Sequence, residues 1–301
     1  MSLSQRLIIL TALGISLVTQ AASPYLPENS LPIWPHHAPG ETTSSPGELQ
    51  PYRPEEAPPV VRVQKITQPR LQVFLPKAGR TKTAILILPG GGYGKVVTNK
   101  EGSEAARWLN ELGIAAFVLS YRTTTPEEPR AWFRPLQDSH RAMRIIRSKA
   151  DEWQINEDSV GLLGFSAGGQ VAAIHLADTY PISYDTLDWV DNKNHYPNFS
   201  LLIYPWNLLE KKTERLLPEI KMTKNLPPSF LVHTDDDPSS SLGTVAIYTA
   251  LKKMRVPAEL HIYETGGHGY GMRNVPGSNI GSWPARAGDW LVARGFGRRS
   301  F

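Results

Sequence analysis

A chain of 301 residues, 41% hydrophobic and 20% charged, has enough apolar material for one large core and the composition of a globular protein. Its formal charge of +4 is spread without a lysine or arginine block, so no nucleic-acid partner is expected. The absence of cysteine excludes disulfides, thiolate metal sites and a cysteine nucleophile together.

Met1 to Arg6 carries one positive charge, Leu7 to Val18 is mostly apolar, and Thr19 to Ser23 offers small residues for cleavage. This is the layout of a signal peptide over 1–22, which predicts export to the periplasm or beyond and no stable membrane association after cleavage. A retained anchor helix is the alternative. The next stretch, 23–59, is rich in proline, serine and glutamate and predicts an extended segment with partial order. Within it, Trp34 is placed to pack on the domain that follows, 60–301.

Val60 to Thr67 and Arg70 to Leu75 alternate as strands do and predict a β-hairpin. Ala84 to Leu88 is continuously apolar, as a buried central strand should be. Glu101 to Leu112 has helical spacing, ended by Gly113 as a C-cap residue. A strand follows over Ile114 to Tyr121, and a long amphipathic helix over Pro135 to Trp153. Ser159 to Leu163 reads as a buried strand, and an apolar-periodic run begins at Val171. Further strands are predicted over Phe199 to Tyr204, Phe230 to His233 and Ala258 to Tyr263, and helices over Leu242 to Met254 and Pro284 to Arg294. Apolar strands alternating with helices mean an α/β fold: one mostly parallel sheet covered on both faces.

Between the strand ending at Leu163 and the helix at Val171 lies Gly164-Phe165-Ser166-Ala167-Gly168-Gly169. A serine at the apex of a strand-turn-helix, flanked by glycines, has the form of a nucleophile elbow. Serine needs a base, and the base needs an acid to fix its tautomer. His268, in Gly266-Gly267-His268-Gly269-Tyr270-Gly271 after the last strand, is the base candidate; the bland alternative is a turn histidine without a role. The acid lies among Asp235, Asp236 and Asp237, where at least two must be ordinary loop charges. Asp237 is the first choice and Asp236 the second. The oxyanion of a tetrahedral intermediate needs preorganised N–H donors. Ala167 would supply one, and the loop Pro89 to Gly94 the rest through Gly91 and a neighbour, Gly90 or Gly92. A phosphate cradle is disfavoured, because no Gly-Lys-Ser/Thr follows. Metal-ligand spacing is lacking too, so neither metal nor cofactor is expected.

These four motifs together resemble the acetyl esterase/lipase branch of the α/β-hydrolase superfamily, and within it the exported acetyl xylan esterase-like proteins. Leu31 to Gly40 also resembles the mature N-terminus of that group. The resemblance implies an α/β-hydrolase fold, with Ser166 as nucleophile, Asp237 as acid and His268 as base. It also implies a secreted serine esterase acting on small-molecule or carbohydrate esters such as acetylated xylan. The alternatives are a prolyl-oligopeptidase-like peptidase and a non-catalytic binding protein of the same fold. The loops 179–198 and 206–228 are too short for a helical cap, so an open cleft is expected. Tyr93, Trp189 and Trp206 are the aromatic candidates to hold a sugar ring; the bland reading is that such residues pack the loops onto the domain. The oligomeric state is not legible.

Overall fold

The computed structural model describes residues 29–125, 128–181 and 183–299. The expected signal peptide lies outside them. No helix among the described residues is long and apolar enough to cross a membrane.

The chain enters through β1 (Ser30–Pro32), β2 (Glu48–Leu49), β3 (Arg62–Gln64), β4 (Arg70–Phe74), β5 (Ala84–Leu88) and β6 (Lys95–Val97). A π-helical turn over Asn99–Ser103 leads into α1 (Glu104–Glu111), which Gly113 terminates at φ +76°. Then come β7 (Ala115–Ser120), α2 (Phe133–Ser148), α3 (Ala150–Trp153), β8 (Val160–Phe165), α4 (Ser166–Ala177), β9 (Ser200–Ile203), β10 (Ser229–Thr234), α5 (Leu242–Lys253), β11 (Ala258–Tyr263) and α6 (Trp283–Ala293). The helix predicted over 135–153 is broken at Lys149, which leaves helical geometry between α2 and α3.

Eight strands form one sheet in the order β1-β4-β7-β5-β8-β9-β10-β11. Every pair from β7 to β11 is parallel; at one edge β4 runs antiparallel to both β7 and β1. All residues of β5, β8, β9 and β10 are buried. Successive side chains face opposite sides of a pleated sheet, and β5 divides accordingly. Leu86 and Leu88 join the core under α2, α4 and α5, with Met143, Val171 and Leu251. Ile85 and Ile87 join the core under α1 and α6, with Leu109, Trp283 and Leu291. Both faces are filled, which is why these strands read as unbroken apolar runs.

The predicted hairpin does not form. β3 pairs with β2 and β6 in a separate three-stranded sheet, whereas β4 pairs with β1 and β7 in the main one. Between them Lys65 takes a left-handed φ of 54°, and Ile66 is fully buried with its amide on Thr123 Oγ1 at 2.9 Å. The chain therefore passes from one sheet to the other instead of folding back.

The proline-rich segment is more ordered than its composition suggests. From Ser30 it adds a strand to the main sheet, and Trp34 is buried with its indole N–H on Asp138 at 2.8 Å. Asp138 in turn pairs with Arg122 at 3.0 Å, both side chains fully buried, and Arg122 also donates to the Pro39 carbonyl. A buried ion pair must have its remaining hydrogen-bonding capacity satisfied, and this segment supplies part of it.

Candidate active site

The elbow sits where β8 runs into α4. Ser166 has φ 52°, a left-handed conformation that costs a residue with a side chain about 1–2 kcal/mol. Two close approaches make the turn possible. A Cβ on Gly164 would lie 2.6 Å from the Gly168 carbonyl, and one on Gly168 would lie 2.2 Å from the Leu88 carbonyl. The turn lifts Ser166 off the end of the sheet and places it beside the β5–β6 connection.

Ser166 Oγ is 2.7 Å from His268 Nε2, and His268 Nδ1 is 2.7 Å from Asp237 Oδ2. With the proton on Nδ1, the ring donates to Asp237 and accepts from the Ser166 hydroxyl. Residues from three loops, 102 and 31 positions apart in sequence, are thus joined in one line. The three aspartates separate by geometry. Asp235 is exposed. Asp236 accepts from the amides of Gly266 and Gly267 at 3.1 and 2.8 Å, fixing the loop that carries His268. Asp237 alone reaches the ring.

Asp237 is held from other sides as well. Its Oδ1 accepts from the Ser239 amide at 2.7 Å, and its Oδ2 lies 3.1 Å from His233 Nε2. His233 is fully buried, with its other ring nitrogen 2.8 Å from Thr244 Oγ1. Burial pushes the Asp237 carboxyl up, but the bonds from His233, His268 and the Ser239 amide outweigh it. The result is a pKa lowered from 3.8 to about 2. A carboxyl depressed on folding contributes stability above its unfolded value and loses it as pH falls through the folded one. Denaturation from pH 7 to 2 should therefore show a loss of about 2 kcal/mol from this group between pH 4 and 2. Asp237→Asn should lack that part of the slope; an unchanged slope in the variant would refute the linkage.

The candidate oxyanion loop is anchored through Gly90, not open there. The Gly90 amide donates to Glu101 Oε2 at 2.6 Å, so Gly90 leaves the donor set. Gly91, Gly92 and Ala167 remain, and among the described residues their amides have no recorded acceptor. Gly91 and Gly92 line a cleft of about 510 Å³ together with Ser166, His268 and Trp206. Glu101 is buried, and burial raises its pKa despite the bonds from Gly90 and from the Tyr204 hydroxyl at 2.9 Å. The Tyr204 hydroxyl accepts from the Gly271 amide at 2.9 Å. Glu101 and Tyr204 thus tie the β5–β6 loop to the loop of His268. Neither residue stands in a motif, and only the fold brings them together. His233 had a faint signal: it shares a strand end with Asp237, four residues away.

The aromatic candidates part company. Trp206 lines the cleft, and its amide donates to the Ser166 carbonyl at 3.0 Å. Tyr93 is buried, and its hydroxyl donates to Gln170, so it braces the loop against α4 and has little surface for a ligand. Trp189 is 63% exposed but does not line the cleft. Asp188 and Asp191 on either side of it are clamped by Arg141 at 2.6 and 2.8 Å, which holds this turn on α2, beside Trp34. Among the described residues, loops 179–198 and 206–228 form no helical cap.

A family model described as BD-FAE matches residues 71–180. An acetylxylan esterase of Xylanibacter ruminicola is 34% identical over 226 residues, 66% of this chain and 43% of that protein. An endo-1,4-β-xylanase B of Butyrivibrio fibrisolvens is 26% identical over 231 residues, 68% of this chain and 35% of that protein. The chain thus spans less than half the length of these curated relatives. Among solved structures, an acetyl ester-xyloside bifunctional hydrolase from Caldicellulosiruptor lactoaceticus superposes with a TM-score of 0.69 at 26% identity, covering 91% of this chain and 99% of that one. A propionate-bound esterase from Thermogutta terrifontis shares the fold, with a TM-score of 0.66 at 20% identity, covering 85% and 97%. With its sheet order, its elbow and these relatives taken together, the chain has the α/β-hydrolase fold and is similar to acetyl xylan esterases.

Proposed function

We propose that this protein is an exported serine carboxylic-ester hydrolase that removes acetyl or other short acyl groups from carbohydrate esters, acetylated xylan among them. The observation that carries this reading is the line Ser166–His268–Asp237 opening on a cleft beside unpaired backbone amides. In this reading His268 Nε2 takes the Ser166 proton as Oγ attacks the ester carbonyl. Asp237 fixes the tautomer and favours the imidazolium that results. The amides of Ala167 and Gly91, with Gly92 beside them, receive the negative oxygen. As the intermediate collapses, the bond from acyl carbon to sugar oxygen breaks, His268 gives its proton to that oxygen to make the sugar hydroxyl, and an acyl-Ser166 ester remains. Water, activated by the same ring, releases the acid. The names of the relatives from Xylanibacter ruminicola and Caldicellulosiruptor lactoaceticus support the choice of ester.

The size of the acyl group follows from the cleft walls. They are glycine backbone, charged side chains and Trp206, with only Val60 and Val97 as aliphatic surface. A groove for a long chain would add about 0.8 kcal/mol of binding per methylene, and among the described residues the lining of this cleft provides none beside Ser166. Specificity constants on p-nitrophenyl esters should therefore peak between acetate and butyrate and fall by octanoate. Release of acetate from acetylated xylan tests the carbohydrate part. A profile still rising at octanoate would overturn the short-acyl reading.

A further inference from the structure

The cleft in front of Ser166 is lined by four cationic side chains, Arg53, Arg62, Lys95 and Lys100, against two carboxylates, Glu56 and Glu101. The carboxylates are spoken for. Glu56 is taken by Arg62 in a two-pronged pair, one arm at 2.7 Å, with Arg53 3.9 Å away. Glu101 is buried and turned to Gly90 and Tyr204. Lys95 and Lys100 are half-buried, and among the described residues neither has a carboxylate within ion-pair distance. Exposed lysines commonly go unpaired; half-buried ones lining a cleft do so at a cost. Burial lowers the Lys95 pKa, helped by Arg53 and Arg62; burial also lowers that of Lys100, helped by Arg273 and Arg62, and the nearby Glu101 and Glu56 only partly offset it. An anion seated between them would restore both.

Both lysines are fixed relative to the reacting atoms. Lys95 opens β6, directly after the Gly91–Gly94 turn, and a Cβ on Gly91 would lie 3.2 Å from its Cγ. The Lys100 carbonyl accepts from the Met272 amide at 3.3 Å, and a Cβ on Gly271 would lie 2.8 Å from Lys100 Cγ, so its stem rests on the loop of His268. The Lys95 stem thus packs against the candidate oxyanion loop and the Lys100 stem against the loop of the candidate base, and both side chains line the cleft.

We propose that the preferred substrate is an ester that itself bears a carboxylate close to the scissile bond, held by Lys95 and Lys100, with a uronic acid as the carrier of that carboxylate. This rests on the esterase reading and narrows it. A carboxylate in the acyl half would meet the same amines, so the two sources are compared directly. The carbohydrate pair is methyl 3-O-acetyl-β-D-glucuronoside against the glucoside; the acyl pair is p-nitrophenyl hemisuccinate against p-nitrophenyl butyrate. At low ionic strength the acidic member of the carbohydrate pair should be favoured in kcat/KM by about tenfold or more, the scale of a charge-assisted hydrogen bond. Half-molar salt should shrink the ratio, and Lys95→Gln with Lys100→Gln should bring it toward unity. A preference confined to the acyl pair would overturn the uronic acid as the carrier of the carboxylate. Ratios of one or below in both pairs, or a ratio untouched by the double substitution, would overturn the inference. Turnover of p-nitrophenyl acetate reports on the esterase reading alone. Calorimetry on Ser166→Ala decides the inference without turnover: the glucuronoside should bind at least about tenfold more tightly than the glucoside, and equal binding would sink it.

Discussion

Replacing Ser166 by alanine should remove ester hydrolysis almost completely. In serine hydrolases the loss of this hydroxyl costs about 10⁶ in kcat, down to what the oxyanion donors and binding supply alone. Ser166 is buried with a left-handed φ, and its one side-chain hydrogen bond goes to His268. Nothing structural depends on the hydroxyl, so the variant should fold as the parent does. Its thermal transition should stay within a degree or two while p-nitrophenyl acetate turnover vanishes. A folded variant with near-normal turnover would reassign the nucleophile.

The second large effect should come from Asp237→Asn. An amide cannot hold the Nδ1–H tautomer as a carboxylate does, and a comparable change in a serine protease costs about 10⁴ in turnover. The geometry sharpens the contrast among three adjacent acids. Asp236→Asn would weaken bonds to Gly266 and Gly267 and loosen the loop of His268, a smaller effect. Asp235→Asn touches neither the ring nor its loop and should be close to silent. Rates for the three variants, measured at a pH where all are folded, give the order. If Asp236→Asn proved worst, the acid would be the neighbour of the residue assigned.

What the sequence makes legible follows from range. Ala84–Leu88 and Val160–Phe165 announce themselves because a strand buried on both faces is apolar at every position, a local property. Ser166 and His268 stand out because both sit among glycines that close backbone contact requires. What local sequence leaves open, even where its first choice, Asp237, is the residue that reaches the ring, has the opposite character. Whether β3 pairs with β4 or with β6 depends on partners some thirty residues away, and local alternation is the same in either case. The choice among three aspartates turns on which carboxylate points at a ring 31 residues downstream. Glu101 looks like any helix-start acid until Gly90 and Tyr204 are seen to share it. Trp189 is exposed as a platform should be, but Arg141 anchors its turn on another face.

The small sheet has a consequence for how this scaffold could change over generations. Ser166, Asp237 and His268 all hang from strand ends of the main sheet, whereas Arg62 and Lys95 ride on β3 and β6, and Arg53 and Glu56 on the chain between β2 and β3. The two assemblies are joined by the chain between β3 and β4 and by the turn from Pro89 to Gly94, and Val63 and Val96 of the small sheet pack into the core of the main one. In the proposed reading, four of the six charged side chains lining the cleft, Arg53, Glu56, Arg62 and Lys95, therefore stand on or beside a different sheet from the serine, acid and base, while Lys100 rests against the loop of the base. Drift or laboratory selection acting on the small sheet can alter which esters are admitted while the hydrogen-bonded line behind Ser166 is left in register, so new selectivity is accessible in single steps.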